Sequence, residues 1–300
     1  MDHARIEIGT RQFWCVAAAS VAVLLPLNWS WHVWGRQMPS SIALYIVAGS
    51  LFYFGLLRLL TGIRFSDVSH EARFVVISSM LLLILFLAFG RSNTYRLLFE
   101  RFVPVGVRTP LFGFAYFATC SVVLRLAVPY LLLRFRLRQR PAEYGYVVRG
   151  GTRMRWVYLG LFVVMVPLVL WASALPEFQA SYPQTRGIVS GTEASIRLFI
   201  LYQVAYFMVF LSGESFWRGF MTFGLGRDLD VSALPWMVMM YSIGHYGKPI
   251  LEVNASILAG FVLGYLALRH RSFFLGALLH WSIALTMDLA VLYQRGITWN

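Results

Sequence analysis

The chain is poor in acid, in lysine and in cysteine. Only 13% of its 300 residues are charged, where a soluble domain carries about 25%. Its 13 carboxylates face 26 cations, of which 25 are arginine and one, Lys248, is lysine. With 59% apolar residues gathered in long runs, this scarcity of charge excludes a soluble globular fold. The two cysteines, Cys15 and Cys120, stand singly in apolar runs and form no CxxC pair, which argues against a thiolate metal centre or a disulfide framework. Their expected role is that of small core hydrophobes. No HExxH helix is present, so a metalloprotease of that type is excluded. GxSxG is also missing, and no serine stands out as a nucleophile. A net charge of +13 and a pI near 10.2 would suit nucleic acid. However, the arginines cluster at the ends of apolar runs, where membrane topology and anionic lipid heads place them. Nucleic acid is not an expected partner.

What is present reads as an all-α, polytopic transmembrane helical bundle of about eight to nine helices. Apolar runs fall at Gln12–Trp34, Ser41–Leu60, Phe74–Gly90, Leu111–Leu133, Trp156–Leu175, Ala194–Leu225, Leu234–Tyr246, Ala255–Leu268 and Phe273–Tyr293. Most approach the ~20 residues that a spanning helix needs. Trp29, Trp31 and Trp34 close the first run as an aromatic belt, and the run reads as an uncleaved anchor. The basic stretch Arg134–Arg140, followed by Arg149, Arg153 and Arg155, marks a cytoplasmic loop that anionic lipids could also contact. Counted from a cytoplasmic N-terminus, the nine runs give nine crossings and an external C-terminus. Residues 1–190 hold five spans without an acid–base cluster. Residues 191–300 hold nearly all the polar chemistry at membrane depth.

That chemistry begins in Leu211-Ser-Gly-Glu-Ser-Phe-Trp-Arg-Gly-Phe220. Glu214 and Arg218 are four residues apart, so they leave one face of a helix. Charged groups inside a membrane are costly and face a bundle interior or a wet cavity. Glu214 lies 11 residues before the end of its run, His245 lies 11 after the start of the next, and His280 lies 7 into the last. At 1.5 Å per residue all three sit roughly 10–17 Å from the same face. Tyr241 shares a face with His245, and Asp288 shares a stripe with His280 and Ala284. Lys248 and Glu252 follow His245 at a break marked by Gly247 and Pro249. Taken singly, each is accounted for by an ion pair, an interhelical hydrogen bond or an interfacial turn. Their common depth favours a site. A carboxylate beside histidine can activate water, and a second histidine can stabilise an oxyanion. Glu214, His245 and His280 could instead hold zinc or another divalent metal.

At these residues the chain resembles the CAAX-protease and bacteriocin-processing (CPBP, or Abi) family of intramembrane proteases. That family carries Glu-Glu-x-x-x-Arg, Phe-x-x-x-His and His-x-x-x-Asn/Asp on successive helices. The counterparts here are Gly213-Glu214-x-x-x-Arg218, Tyr241-x-x-x-His245 and His280-x-x-x-Ala284. The flanks Phe-Trp-Arg-Gly-Phe, Gly-His-Tyr-Gly-Lys-Pro and Leu-Leu-His-Trp look like a bacterial branch, and the likeness covers about residues 190–292. The resemblance implies an intramembrane endopeptidase of a bacterial inner membrane, acting on a membrane-associated protein or peptide. Glu214 would be the base, with Arg218, His245 and His280 at the reaction centre and Tyr241, Lys248, Glu252 and Asp288 in support. No cofactor is required on that reading. The chain departs from the pattern twice: Gly213 replaces the leading glutamate, and Ala284 replaces the terminal Asn or Asp. Either Glu214 has taken the base role, helped by Glu252, or the chain is a non-hydrolytic relative that serves as a scaffold or a peptide- or lipid-binding protein.

Overall fold

A computed structural model describes residues 6–35, 41–99, 101–102, 106, 109–148 and 154–300. Arg149 and Arg153 of the basic stretch lie outside the described residues. The apolar runs form helices α1 (Thr10–Val33), α2 (Ile42–Thr61) and α3 (His70–Phe89). The short α4 (Ser92–Phe99) leads to α5 (Thr109–Arg136), whose ladder widens to π-helix at Val123–Ala127 and Leu132–Arg136. Next come α6 (Arg155–Ser173) and the short α7 (Pro176–Ser181). Helix α8 runs from Ile196–Glu214 through a π-helical Ser215–Phe223 into Gly224–Leu229. The bundle closes with α9 (Leu234–Gly244), α10 (Ile250–His270) and α11 (Phe274–Gln294).

Helix ends follow local chemistry. Gly62 stops α2 in the left-handed region at φ 79°. Ser69 caps α3 by accepting from the Ala72 amide at 3.2 Å. Asp228, at the end of α8, accepts the Ser69 amide at 2.5 Å and ties the two helix ends together.

Among the described residues eight segments are long and apolar enough to cross a membrane. One of them, Ile196–Gly244, is no single rod, because the chain reverses at Asp230 (φ 49°). The seventh apolar run therefore does not qualify as a crossing by itself. As α9 it has 11 residues, a rise of roughly 16 Å against a hydrocarbon core of ~30 Å. Instead it forms the buried centre of the protein: every residue from Leu234 to Ile243 is buried. Around it, Leu24 of α1, Ile46 and Tyr53 of α2 and Val75 of α3 join Trp217, Phe220 and Val253 in one core. Two glycines of α10 permit close approach, since a Cβ at Gly260 would lie 3.0 Å from Val238 and one at Gly264 would lie 2.7 Å from Leu234.

The lipid-facing surface is apolar, with Leu44, Leu51, Val163, Val164 and Leu258 exposed. Cys15 belongs to this exposed surface rather than to the core expected for it, and Cys120 is half-buried. Strands Val189–Ser190, Glu193–Ala194 and Thr298–Trp299 form a small sheet in that order, antiparallel then parallel. This sheet fixes the chain end beside the start of α8.

Candidate active site

Glu214 is the last residue of the regular part of α8, immediately before its π-helical segment. Such widened turns are frequent at functional sites. The Glu214 carboxylate is only 1% exposed. Its Oε1 accepts from Arg218 Nη1 at 2.8 Å and meets His280 Nδ1 at 3.1 Å. Its Oε2 is buried with no hydrogen-bond partner and lies against the bare Cα of Gly276 in α11, where a Cβ would come within 3.2 Å of that oxygen.

Arg218 is wholly buried. Its guanidinium lies over the Tyr241 ring at 4.2 Å, and Nη2 donates to the Ala259 carbonyl at 3.4 Å. Four helices thus converge on one ion pair: α8 supplies it, α9 supplies Tyr241, α10 a carbonyl and α11 His280.

The histidines stand alongside. His245 begins the break between α9 and α10, its ring edge-on to Tyr241 at 4.4 Å between centroids. The His245 and His280 rings are nearly parallel, 10° apart in plane and 6.5 Å between centroids. His245 Nδ1 lies 2.8 Å from the Tyr241 carbonyl. A carbonyl can only accept, so this nitrogen carries the proton and Nε2 is a bare acceptor. The same logic places a proton on His280 Nδ1 whenever Glu214 is ionised, leaving its Nε2 facing the Tyr241 hydroxyl at 3.5 Å. As a neutral imidazole, His280 then has no proton left for an oxyanion. The Tyr241 hydroxyl is the neutral donor at hand, and His280 becomes a second donor only as imidazolium.

Lys248 and Glu252 form a separate, partly exposed cluster. Their side chains, each about a quarter exposed, are 3.6 Å apart. Tyr182, from the segment after α7, donates to Glu252 Oε2 at 2.6 Å and accepts from Lys248 Nζ at 3.0 Å. Burial, then the Glu252 charge, push the Tyr182 phenol well above its ordinary value, so it stays a donor. Asp288 is also separate. Its Oδ2 accepts from Tyr202 at 2.9 Å and from Gln203 at 2.8 Å, and Gln203 in turn accepts from Trp281 at 3.1 Å. Ala284, between Asp288 and His280, packs in an apolar cluster with Phe114 and Tyr206.

Two participants escape a reading of the sequence. Tyr182 sits in a Pro- and Gly-rich loop with no periodicity to assign it a neighbour. Arg125 reads as a snorkelling or ion-paired arginine, yet it is 7% exposed. Its Nε and Nη2 donate to Ser121 Oγ, and Nη2 also donates to the Val209 carbonyl at 3.1 Å. Its guanidinium lies over the Phe86 ring at 4.3 Å. The only sequence signal for it is a charge in the middle of the fourth apolar run.

Among the described residues no three His, Cys, Asp or Glu side chains are gathered so as to hold a metal ion. Glu214 Oε1 is already shared by Arg218 and His280, and both nitrogens of His280 face protein atoms.

Residues 195–286 match the family described as Type II CAAX prenyl endopeptidase Rce1-like. No curated protein and no solved structure matches the chain. The matched stretch opens one residue before α8 and ends within α11. It encloses Glu214, Arg218, Tyr241, His245, Lys248, Glu252 and His280, and leaves Tyr182 and Asp288 outside. The chain is a multi-pass membrane protein whose residues 195–286 are similar to the Rce1-like type II CAAX prenyl endopeptidases.

Proposed function

We propose that the protein is an intramembrane endopeptidase that hydrolyses a peptide bond of a membrane-associated protein or peptide, with Glu214 as general base. The observation that carries this reading is the division of labour on one buried carboxylate. Oε1 is fixed by Arg218 and His280, whereas Oε2 is buried and unpartnered against the bare Cα of Gly276. A water at Oε2 gives up its proton to the carboxylate as its oxygen attacks the peptide carbonyl. The tetrahedral oxyanion is met by the Tyr241 hydroxyl and by His280 in its imidazolium form. Glu214 returns the proton to the leaving amine, and His245 Nε2, a bare acceptor, orients the attacking water. Lys248 and Glu252, partly exposed beside the central cluster, steer the substrate, and Asp288 supports α8 against α11. The N-terminus lies on the cytoplasmic side of a bacterial inner membrane.

The test is cleavage of native substrates, read by terminal labelling of membrane proteins from cells carrying the unmodified or the Glu214→Gln protein. New termini that depend on Glu214 support the reading, and identical termini in both would sink it. A second reading, a peptide- or lipid-binding relative without hydrolytic activity, is favoured by Gly213 and Ala284. On that reading Glu214→Gln retains the partners captured by the unmodified protein.

A further inference from the structure

His245 stands on a break, not within a helix. It opens the segment 245–249 between α9 and α10, where Gly247 takes φ 104°. Its side chain is half-buried, and among the described residues its one hydrogen bond runs from Nδ1 to the Tyr241 carbonyl at 2.8 Å. Helix α1 grips this break before, within and after it. Asn28, only 1% exposed, donates from Nδ2 to Ser242 Oγ at 3.1 Å on the α9 side and to Asn254 Oδ1 at 3.0 Å on the α10 side. Between those two contacts Trp31 stacks on Tyr246, with centroids 4.7 Å apart and planes 16° apart. Tyr45 of α2 stands edge-on to both rings, at 5.3 Å and 5.6 Å. Asn28 and Trp31 are three residues apart and so share one face of α1. The Ser242 carbonyl accepts the His245 amide at 3.0 Å, which carries the grip to the histidine backbone. Packing alone does not call for an amide at this depth. A polar group buried in a membrane is costly unless bonded, and what this one adds over a hydrocarbon is direction.

We propose that Asn28 and Trp31 are positioning residues for His245. They lock the break between α9 and α10, so that the Nδ1 proton stays on the Tyr241 carbonyl and Nε2 stays a bare acceptor. Both residues lie outside the matched stretch 195–286, so the first helix supplies the site with support from beyond it. The effect on turnover rests on the role of His245 proposed above, whereas the orientation of its ring is measurable without a substrate.

The experiment is long-range proton–nitrogen correlation NMR on the purified full-length protein in detergent, isotope-labelled at the histidine nitrogens. It reads which nitrogen of each neutral imidazole holds the proton, and His245 is identified by the loss of its signal in His245→Gln. The unmodified protein should show His245 in the Nδ1–H form alone. In Asn28→Leu that form should give way to a mixture with the Nε2–H form. Asn254→Ala, at a half-buried position, removes only the α10 contact and serves if Asn28→Leu does not elute as a folded monodisperse species. Trp31→Leu should also produce the mixture, and Trp31→Phe, which keeps a ring on Tyr246, should not. Ser50→Ala, which removes an α2–α9 hydrogen bond to Trp236 at the far end of α9, should leave the signal unchanged. The proposal is overturned if His245 stays wholly Nδ1–H in the folded Asn28 or Asn254 variant, or if Ser50→Ala produces the same mixture. For turnover, Asn28→Leu should lower kcat by about 10- to 10²-fold with KM nearly unchanged. It should cost nothing further in the His245→Gln background, and an equal loss there would overturn the link to His245. Absence of cleavage by the unmodified protein would count against hydrolysis alone, and the proton's place on His245 would still decide the positioning role.

Discussion

Glu214 of α8 and His280 of α11, 66 residues apart in sequence, meet at 3.1 Å in the membrane interior. The contact depends on Gly276, one helical turn before His280, whose bare Cα lets the carboxylate lie against α11. Because Arg218 holds the same oxygen, charge compensation and the proposed general-base role share one carboxylate, and mutations will separate the two.

Glu214→Gln is expected to lower turnover by about 10²–10⁴-fold, the range for loss of a general base. It also leaves Arg218 as an uncompensated buried cation, and breaking a buried pair costs roughly 3–5 kcal/mol. The double substitution Glu214→Gln, Arg218→Met should regain stability in a detergent melting experiment but no activity. Recovery of cleavage in the double variant would remove Glu214 from the chemistry.

Tyr241→Phe removes the hydroxyl facing His280 but keeps the ring under Arg218. If that hydroxyl meets the oxyanion, kcat falls by about 10²–10³-fold, as for one lost oxyanion donor, with little change in melting temperature. An unchanged kcat would assign the hydroxyl to packing alone.

Asp288 bonds Tyr202 and Gln203, with no bond to either histidine. Asp288→Ala leaves two buried donors without an acceptor, at about 1–3 kcal/mol each. The variant should melt earlier, while the protein that remains folded cleaves at the normal rate per molecule. A fall in kcat at unchanged stability would place Asp288 in the chemistry instead.

Burial raises Tyr182 well above 10 and pushes Tyr146 up to about 12, against the Ser215 hydrogen bond, which lowers it. A phenol raised in the folded state contributes stability that is complete below its unfolded value of about 10. That contribution is lost as pH climbs through 10 toward 12. Phenolate absorbance should therefore show both groups un-ionised in the folded protein at pH 10. Tyr182→Phe and Tyr146→Phe should each reduce the loss of stability above that pH. An alkaline transition identical to that of the unmodified protein in both variants would contradict this.

The sequence by itself determined the membrane class and the helical bundle, because backbone groups in lipid must bond within their own helix and apolar runs of fixed length report that directly. It also gave Glu214, His245 and His280 a common depth, since helical rise converts residue offsets into distance, and set Arg218 one turn from Glu214. Depth says nothing about azimuth, so only the tertiary structure decided which groups touch. It separated Lys248 and Glu252, bonded to Tyr182, from the central cluster, and it put Asp288 on Tyr202 and Gln203. It also turned an apparent ninth crossing into the buried centre of the fold, because neighbours on all sides bury α9, which is too short to span. Arg125 illustrates the division most plainly. Its charge within an apolar run was legible, but its place over Gly213 depends on how α5 packs against α8, which no local pattern encodes.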